Sequence, residues 1–422
     1  MNKSIIEFLN LKEEEIETLE CNSLKNELLI HLSLKRKPHQ CPNCKAITEK
    51  VLNQYERTIN HGLFIDRKCV VHYKQKRYRC SLCTTSFNET CTLVTKHQKK
   101  SIASYLQIME LLLDPHITFT QAGKLLHLSP NTVMDTFNDN APVFKPQLPH
   151  VLCIDEVYLG RNAVKKYVAV LLDFETNNIV DIIYGRTKDS LHSYFQKLSK
   201  DALNRVHYIS SDMYEGYRFL HRHYFPNAKL CIDSFHVIQL VLNMYNSQLK
   251  QLMKKVDRES IEYFLLKQKR FLLLKNNSSI DWLKQEYSRK LGYHVYLMKY
   301  RQMLFEIHPL IQEIYELKEA YIEFNRLRRR EDVIQQMDIL IQRFTSHHNT
   351  EVRRVGRTLL KWKQEILNSF VWFNHKRISN GPIESRNNTI KLLIRNAAGY
   401  RNFSHLRARI LYCINCNKRV GN

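Results

Sequence analysis

Val151-Leu-Cys-Ile-Asp155 and Val206-His-Tyr-Ile-Ser-Ser-Asp212 are two short runs, largely apolar, that each end in an aspartate. Bounded runs of this length, rich in Val and Ile, read as buried strands. Two more such runs fall between them, at 167–172 and 179–184, and Asn177-Asn178 separates these two as a hairpin signal. A helix over 188–200 then leads to the Asp212 run. Another helix over 214–223 follows it, and a strand over 229–233 closes the series. The order is three meandering strands, a helix and a fourth strand, with an acid at the equivalent end of the first and of the fourth. Two carboxylates at close range repel unless a cation sits between them, and hard oxygen ligands select Mg2+ or Mn2+. Acids also close strands for ordinary reasons, so the pair in this order carries the reading, not either residue alone.

This element order is similar to that of ribonuclease-H-like domains, which implies that the first and fourth strands lie side by side, that the two acids meet and that a third acid completes the site. Beyond Glu365 the chain holds one carboxylate, Glu384, and ten Lys/Arg from Lys376 onward. It lies in Ser379-Asn-Gly-Pro-Ile-Glu384-Ser-Arg-Asn-Asn, early in a helix opened by Pro382. Helical spacing puts Glu384, Lys391 and Arg395 on one face, with Ile383, Ile390, Leu393 and Ile394 mostly opposite. An acid near a metal and bases near phosphates is one reading of that face. Glu384 as a cap of its own helix is the other.

The amino-terminal third points to a different chemistry. Cys41-Pro-Asn-Cys44 and Cys80-Ser-Leu-Cys83 are two C-x2-C knuckles, and two knuckles complete a tetrahedral thiolate site suited to structural Zn2+. Such a site has no open position and is assigned no catalysis. Cys413-Ile-Asn-Cys416 is a lone pair on a helix and is weak evidence for a metal. Thr118 to Val133 fits a helix, a tight turn and a second helix, with Ala122 and Leu125 facing the core. Ser129 caps the second helix and Pro130 opens it. Asn131 and Thr132 then lie where polar side chains reach base edges.

Composition sets the wider limits. The 422 residues carry 65 Lys+Arg against 41 Asp+Glu, a net charge of +24, which points to polyanionic partners and nucleic acid first. Apolar residues at 44% and charged residues at 25% exclude wholesale disorder, and only 10 Gly and 10 Pro favour long helices over many-turned β folds. No run approaches the ~18 apolar residues of a membrane span. The acidic start lacks the order of a signal peptide, so no membrane partner and a cytoplasmic, nucleoid-associated location are expected. Eleven cysteines without a secretory signal favour metal binding over disulfides. The expected architecture is multidomain α+β. A helical and strand segment spans residues 1–35, a zinc ribbon 36–95 and a helix-turn-helix 100–140. The first part of a ribonuclease-H-like catalytic core spans 150–236, an all-helical insertion 237–375, and the final glutamate helix with a C-terminal helix 376–422.

Ile154-Asp155-Glu156, Ser211-Asp212-Met213-Tyr214, Tyr224-Phe-Pro-Asn-Ala228, Asp233-Ser-Phe-His236 and Asn380-Gly-Pro-Ile-Glu384 together resemble, in order, the motifs of bacterial insertion-sequence transposases of the DDE type. With the zinc ribbon and the helix-turn-helix, the chain looks like the ISL-three family. The resemblance implies a catalytic triad of Asp155, Asp212 and Glu384 holding two Mg2+ (or Mn2+), supported by Asp233 and His236. His236 reads equally as a core-facing residue at a helix start. The resemblance also implies double-stranded DNA partners, namely terminal inverted repeats and target DNA, and a homodimer or higher oligomer. Arg386, Lys391 and Arg395 are the expected grips on the transposon end. Arg328, Arg329 and Arg330 are candidates for further DNA, or else form a solvated helix face, and the same two readings hold for Lys96, Lys99 and Lys100. The rival is a zinc-containing helix-turn-helix transcriptional regulator without catalysis, which leaves the strand-end acids and Glu384 unexplained. A nuclease that cuts without joining is a third reading.

Overall fold

The computed structural model describes residues 2–94, 98–161, 163–400 and 402–416, and is multidomain α+β. The chain divides into two compact units, Met1–Phe144 with Leu392–Asn422, and Lys145–Lys391. Lys96 lies outside the described residues.

In the first unit, Ile16–Ser23, Glu27–Leu34, Val51–Phe64 and Arg67–Arg79 form one sheet, with Ser86–Asn88 paired to the last of these. Glu27–Leu34 runs parallel to Arg67–Arg79, so the segment before residue 36 and the cysteine-bearing segment share a sheet. Ile30, Leu32, Ile59, Val71 and Tyr73 fill its core. Three helices follow, Ile102–Leu111, Phe119–Leu126 and Pro130–Asn140. Thr118 and Gln121 form a reciprocal capping box on the second. The Ser129 hydroxyl accepts the Thr132 N–H on the third, with Pro130 at its first position. Between these two helices the chain passes through His127 in the left-handed region, at φ 53°. A Cβ on Gly123 would stand 2.7 Å from the Leu128 carbonyl oxygen, so the tight turn requires glycine there. The expected core face needs one correction. Ala122 and Leu126 are buried, whereas Leu125 is exposed, because the turn of the helix brings 122 and 126 (i, i+4) to the same side. Phe403–Cys416 packs on these helices through Tyr412, whose ring lies 5.4 Å from Phe137 and whose hydroxyl donates to the Met109 carbonyl at 2.9 Å.

The second unit is built on a five-stranded sheet. In space its order is Ile179–Tyr184, Tyr167–Asp173, Val151–Tyr158, Tyr208–Ser211 and Lys229–Ile232. The first three strands pair antiparallel, the Tyr208 strand pairs parallel with the Val151 strand, and the Lys229 strand pairs parallel with the Tyr208 strand. Val151 to Ile154 are wholly buried, as a central strand covered on both faces requires. The helices Lys188–Phe195 and Glu215–Tyr224 connect and cover the strands, and the single helix expected over 188–200 ends at Phe195.

Ser234–Met253 then opens a mainly helical region that includes Leu297–Ile307, Pro309–Phe324, Arg330–Thr345 and Thr350–Lys361. The expectation of an all-helical insertion is corrected at Gln285–Ser288 and Tyr293–Tyr296, which pair as a hairpin. Tyr287, Tyr293, Val295 and Tyr296 favour extended backbone there, and Gly292 supplies the turn at φ 83°. A second short pair joins Trp372–Phe373 to Lys376–Arg377. Gly381–Asn396 carries the chain out of this unit.

Candidate functional site

Parallel pairing between the Val151 and Tyr208 strands runs Tyr208↔Val151, Ile209↔Leu152 and Ser210↔Cys153. Asp155 and Asp212 each lie two residues past the last pair, so the register sends both acids to the same edge of the sheet. Both are half-buried. Burial raises the pKa of Asp155, and the Glu156 N–H and the charges of His236 and Lys391 oppose that rise. Burial, then the negative charges of Glu156 and Asp155, push Asp212 up to about 6. The Tyr214 N–H donates to Asp212 Oδ1 at 3.1 Å and fixes its rotamer.

Glu384 sits in the first turn of Gly381–Asn396 and is half-buried. Its pKa is raised by burial first and then by the charges of Asp233 and Asp155, so its carboxyl lies in the field of the other acids. Its ligand atoms and those of Asp233 and His236 all lie within 4.8 Å of one another. Asp233 Oδ2 and His236 Nε2 are buried with no hydrogen-bond partner, a donor set open towards a cation. The structure thus brings Asp155, Asp212, Asp233, His236 and Glu384 to one edge of the second unit, with the ligand atoms of Asp233, His236 and Glu384 grouped within 4.8 Å and those of Asp155 and Asp212 outside that group.

Two asparagines hold the glutamate helix there. Asn380 is fully buried; its N–H donates to Asp233 Oδ1 at 2.9 Å and its side-chain amide to the Ile154 carbonyl at 3.3 Å. Asn387, one turn beyond Glu384, donates from Nδ2 to Asp155 Oδ2 at 2.8 Å. Ile383, Asn387 and Ile390 form the inward stripe at i, i+4 and i+7. Glu156 was quoted in the sequence motif without a role. Arg186 pairs with it at 2.6 Å, Tyr217 donates to it at 3.2 Å, and the Arg186 guanidinium lies 4.3 Å over the Tyr167 ring. Sequence reasoning missed these contacts and those of Asn380 and Asn387, all of which join residues distant in the chain.

Among the basic candidates, Lys391 is exposed and its charge acts on both Asp155 and Glu384. Arg386 donates instead from Nε to the Asn177 carbonyl at 3.0 Å, which ties the helix to the hairpin turn. Arg395 is exposed at the far end of the same helix. Arg328 lies over the Trp372 ring, Arg329 pairs with Glu331 and Asp332, and all of Arg328, Arg329 and Arg330 are exposed. Asn131 is exposed, whereas the Thr132 hydroxyl lies 2.8 Å from that of Ser129 and is partly committed to the cap.

The two cysteine knuckles are geometric twins. Cys41 N–H donates to the Ala46 carbonyl and Cys80 N–H to that of Thr85, each five residues on. Lys45 and Thr84 occupy the left-handed region at φ 61° and 57°. Sγ atoms lie 3.5 Å apart for Cys41–Cys83 and for Cys44–Cys80, and all four fall within 4.8 Å of one another. Zn–S bonds of about 2.3 Å set tetrahedral S···S spacings of about 3.8 Å, so the cluster fits a structural metal. Hydrogen bonding with Thr85 draws Cys83 down to about 5, while Cys44, against the lowering pull of the Ala46 N–H, is pushed up to about 12 by hydrogen bonds among the thiols, so the four sulfurs share their protons unequally. Cys413 is buried and donates to the Leu113 carbonyl at 2.9 Å, an ordinary helix-packing role.

A family model described as Transposase, of the ISL-three DDE type, matches residues 152–410, more than half of the chain. The transposase for insertion sequence element IS1001 of Bordetella parapertussis is 22% identical over 396 residues, covering 91% of this chain and 90% of its own length. No helix among the described residues is long and apolar enough to cross a membrane.

Proposed function

The chain belongs to the ISL-three type of DDE transposases, and from that premise we propose that it binds the terminal inverted repeats of its element and catalyses Mg2+-dependent DNA cleavage and strand transfer. The observation that carries the proposal is the common register of Asp155 and Asp212, with Glu384 on a helix bonded to Asp155 through Asn387. The strand order, three antiparallel strands followed by two parallel ones, supports a ribonuclease-H-like core. The paired C-x2-C knuckles support structural Zn2+, and the capped helices at Phe119–Leu126 and Pro130–Asn140 support a helix-turn-helix that docks DNA.

Asp155, Asp212 and Glu384 are the residues that would hold Mg2+ or Mn2+, with Asp233 and His236 beside Glu384. Held there, divalent ions would activate a water or a DNA 3′-hydroxyl as nucleophile and would stabilise charge on the leaving oxygen. The protein's part is to keep the carboxylates grouped and shielded, which their raised pKa values register. Asn387 orients Asp155, Tyr214 orients Asp212, and Asn380 fixes the entry to the Glu384 helix. Lys391, exposed beside the acids, is suited to a DNA phosphate. Pairing of two element ends calls for a homodimer or larger assembly.

A zinc-containing transcriptional regulator shares the knuckles and the capped helices but gives no reason to bury mutually repelling acids at one sheet edge. The test is to incubate the purified chain with DNA spanning its element's ends and Mg2+, and to map nicks. Transposase action nicks at the ends and joins them to a target plasmid; a nuclease nicks without joining, and a regulator leaves DNA intact.

A further inference from the structure

The helix Glu215–Tyr224 begins three residues after Asp212, and its faces serve two places. Tyr217 reaches Glu156 beside the acids. Arg218 and Arg222 line a cavity of about 500 Å3, together with Arg330, Lys361, Lys363 and Glu365. None of the carboxylates proposed as metal ligands lines it. Five cationic side chains and one carboxylate line it, while Glu215 pairs with Arg218 and Lys361 and Asp338 pairs with Lys363.

Arg218 forms the floor. It is 7% exposed, lies 3.6 Å over the Trp362 ring, pairs with Glu365 at 2.9 Å and donates to the Lys361 carbonyl at 2.9 Å. Its Nε is buried with no hydrogen-bond partner. The lysines are matched elsewhere, Lys361 by Glu215 at 2.7 Å and Lys363 by Asp338. Arg222 and Arg330 are exposed at the rim and have no ion pair among the described residues. Arg330 also opens a helix whose cap residue, Arg329, makes no side-chain capping bond. Arginines at a helix N-terminus oppose the helix dipole, and Glu331 and Asp332 in the first turn offset only part of that charge. Two rim arginines outside any ion pair among the described residues, a largely buried third and a positive helix end together form a receptor for a tetrahedral oxyanion.

We infer that this cavity binds a phosphodiester of duplex DNA, a second grip on the strand distinct from the acids and from the cysteine-bearing unit. The inference rests on the transposase reading, which supplies the DNA. The helix Glu215–Tyr224 links this grip to the edge where Asp212 sits, so a strand seated in the cavity would also be held in register with the acids.

The test measures binding of the full chain to a duplex carrying the element's end, from about 50 to about 200 mM salt. Three proteins are compared: wild type, Arg222→Ala with Arg330→Ala, and Lys254→Ala with Lys255→Ala, which removes equal charge outside the cavity. The arginine pair is expected to bind more weakly at low salt and to lower the slope of log affinity against log salt by about 0.9 for each phosphate it no longer neutralises. The lysine pair is expected to keep the wild-type slope. A wild-type slope in the arginine pair overturns the inference while leaving the transposase reading intact. Failure of the wild-type chain to bind the duplex overturns both. Calorimetry with inorganic phosphate separates the sources. Saturable phosphate binding that Arg222→Ala abolishes, with the DNA slope unchanged, assigns the cavity to a free anion and also overturns the inference.

Discussion

Asn387 Nδ2 lies 2.8 Å from Asp155 Oδ2, and this hydrogen bond joins the helix that carries Glu384 to the central strand of the sheet. The two residues are 232 positions apart in the chain. The bond orients a proposed metal ligand and fixes the distance between two of the three acids. Asn387→Ala is therefore expected to lower the rate of DNA nicking by about 10–100-fold and to raise the Mg2+ concentration needed for half-maximal rate. Nicking rates across a Mg2+ titration check this; an unchanged Mg2+ requirement would remove Asn387 from the site.

Asp155, Asp212 and Glu384 are all held above their usual carboxylate pKa, with burial the first cause in each. Between the ordinary value of 3.8 for Asp212 and its folded value of about 6, the native chain keeps a proton that the unfolded chain releases. Stability of the metal-free protein from this group is thus present at low pH and is lost as pH rises through that window. Divalent cations favour the ionised acids and reverse the loss. Mg2+ or Mn2+ should raise the unfolding temperature more at about pH 7.5 than at about pH 5, and Asp212→Asn should shrink the difference. Equal shifts at both pH values would speak against cation binding by these acids.

Much of this edge was legible in the sequence because it rests on local patterning. The apolar runs ending at Asp155 and Asp212 marked strand positions, and the resemblance of their order to ribonuclease-H-like domains implied adjacency. The Ser129-Pro130 start and the paired C-x2-C spacings likewise depend on near neighbours. The contacts of Asn380 and Asn387 were not legible, since a polar residue at or on a helix gives no sign of a partner some 150–230 positions away, and those of Glu156, on a strand, reach Arg186 and Tyr217 across 30 and 61 positions. The Gln285–Tyr296 hairpin was missed for a different reason. It is short and lies within strong helical periodicity, where its aromatic alternation is easily absorbed.

Cys80→Ser should abolish zinc retention, since it removes one of four converging thiols and leaves no closed tetrahedral site. Atomic emission should find about one zinc per wild-type chain and none in the variant. Melting of the variant should resemble that of chelator-treated wild type. Full zinc content in the variant would rule out the cluster as the site.

Asn131 is exposed near the start of the capped helix Pro130–Asn140. Asn131→Ala should cost about 1–3 kcal/mol in binding the element's own ends, with little change for unrelated duplex. Ser129→Ala should instead lower stability by about 1 kcal/mol through loss of the cap. Competition binding and thermal melting separate the two effects. An equal loss on all sequences for Asn131→Ala would make it a backbone contact only.

The central claim is that Asp155, Asp212 and Glu384 act together around divalent cations on DNA. Its most direct test is Mg2+-dependent nicking at the element's ends by Asp155→Asn, with end binding measured on the same preparation. The expected result is undetectable nicking with wild-type binding; nicking at the wild-type rate would contradict the claim.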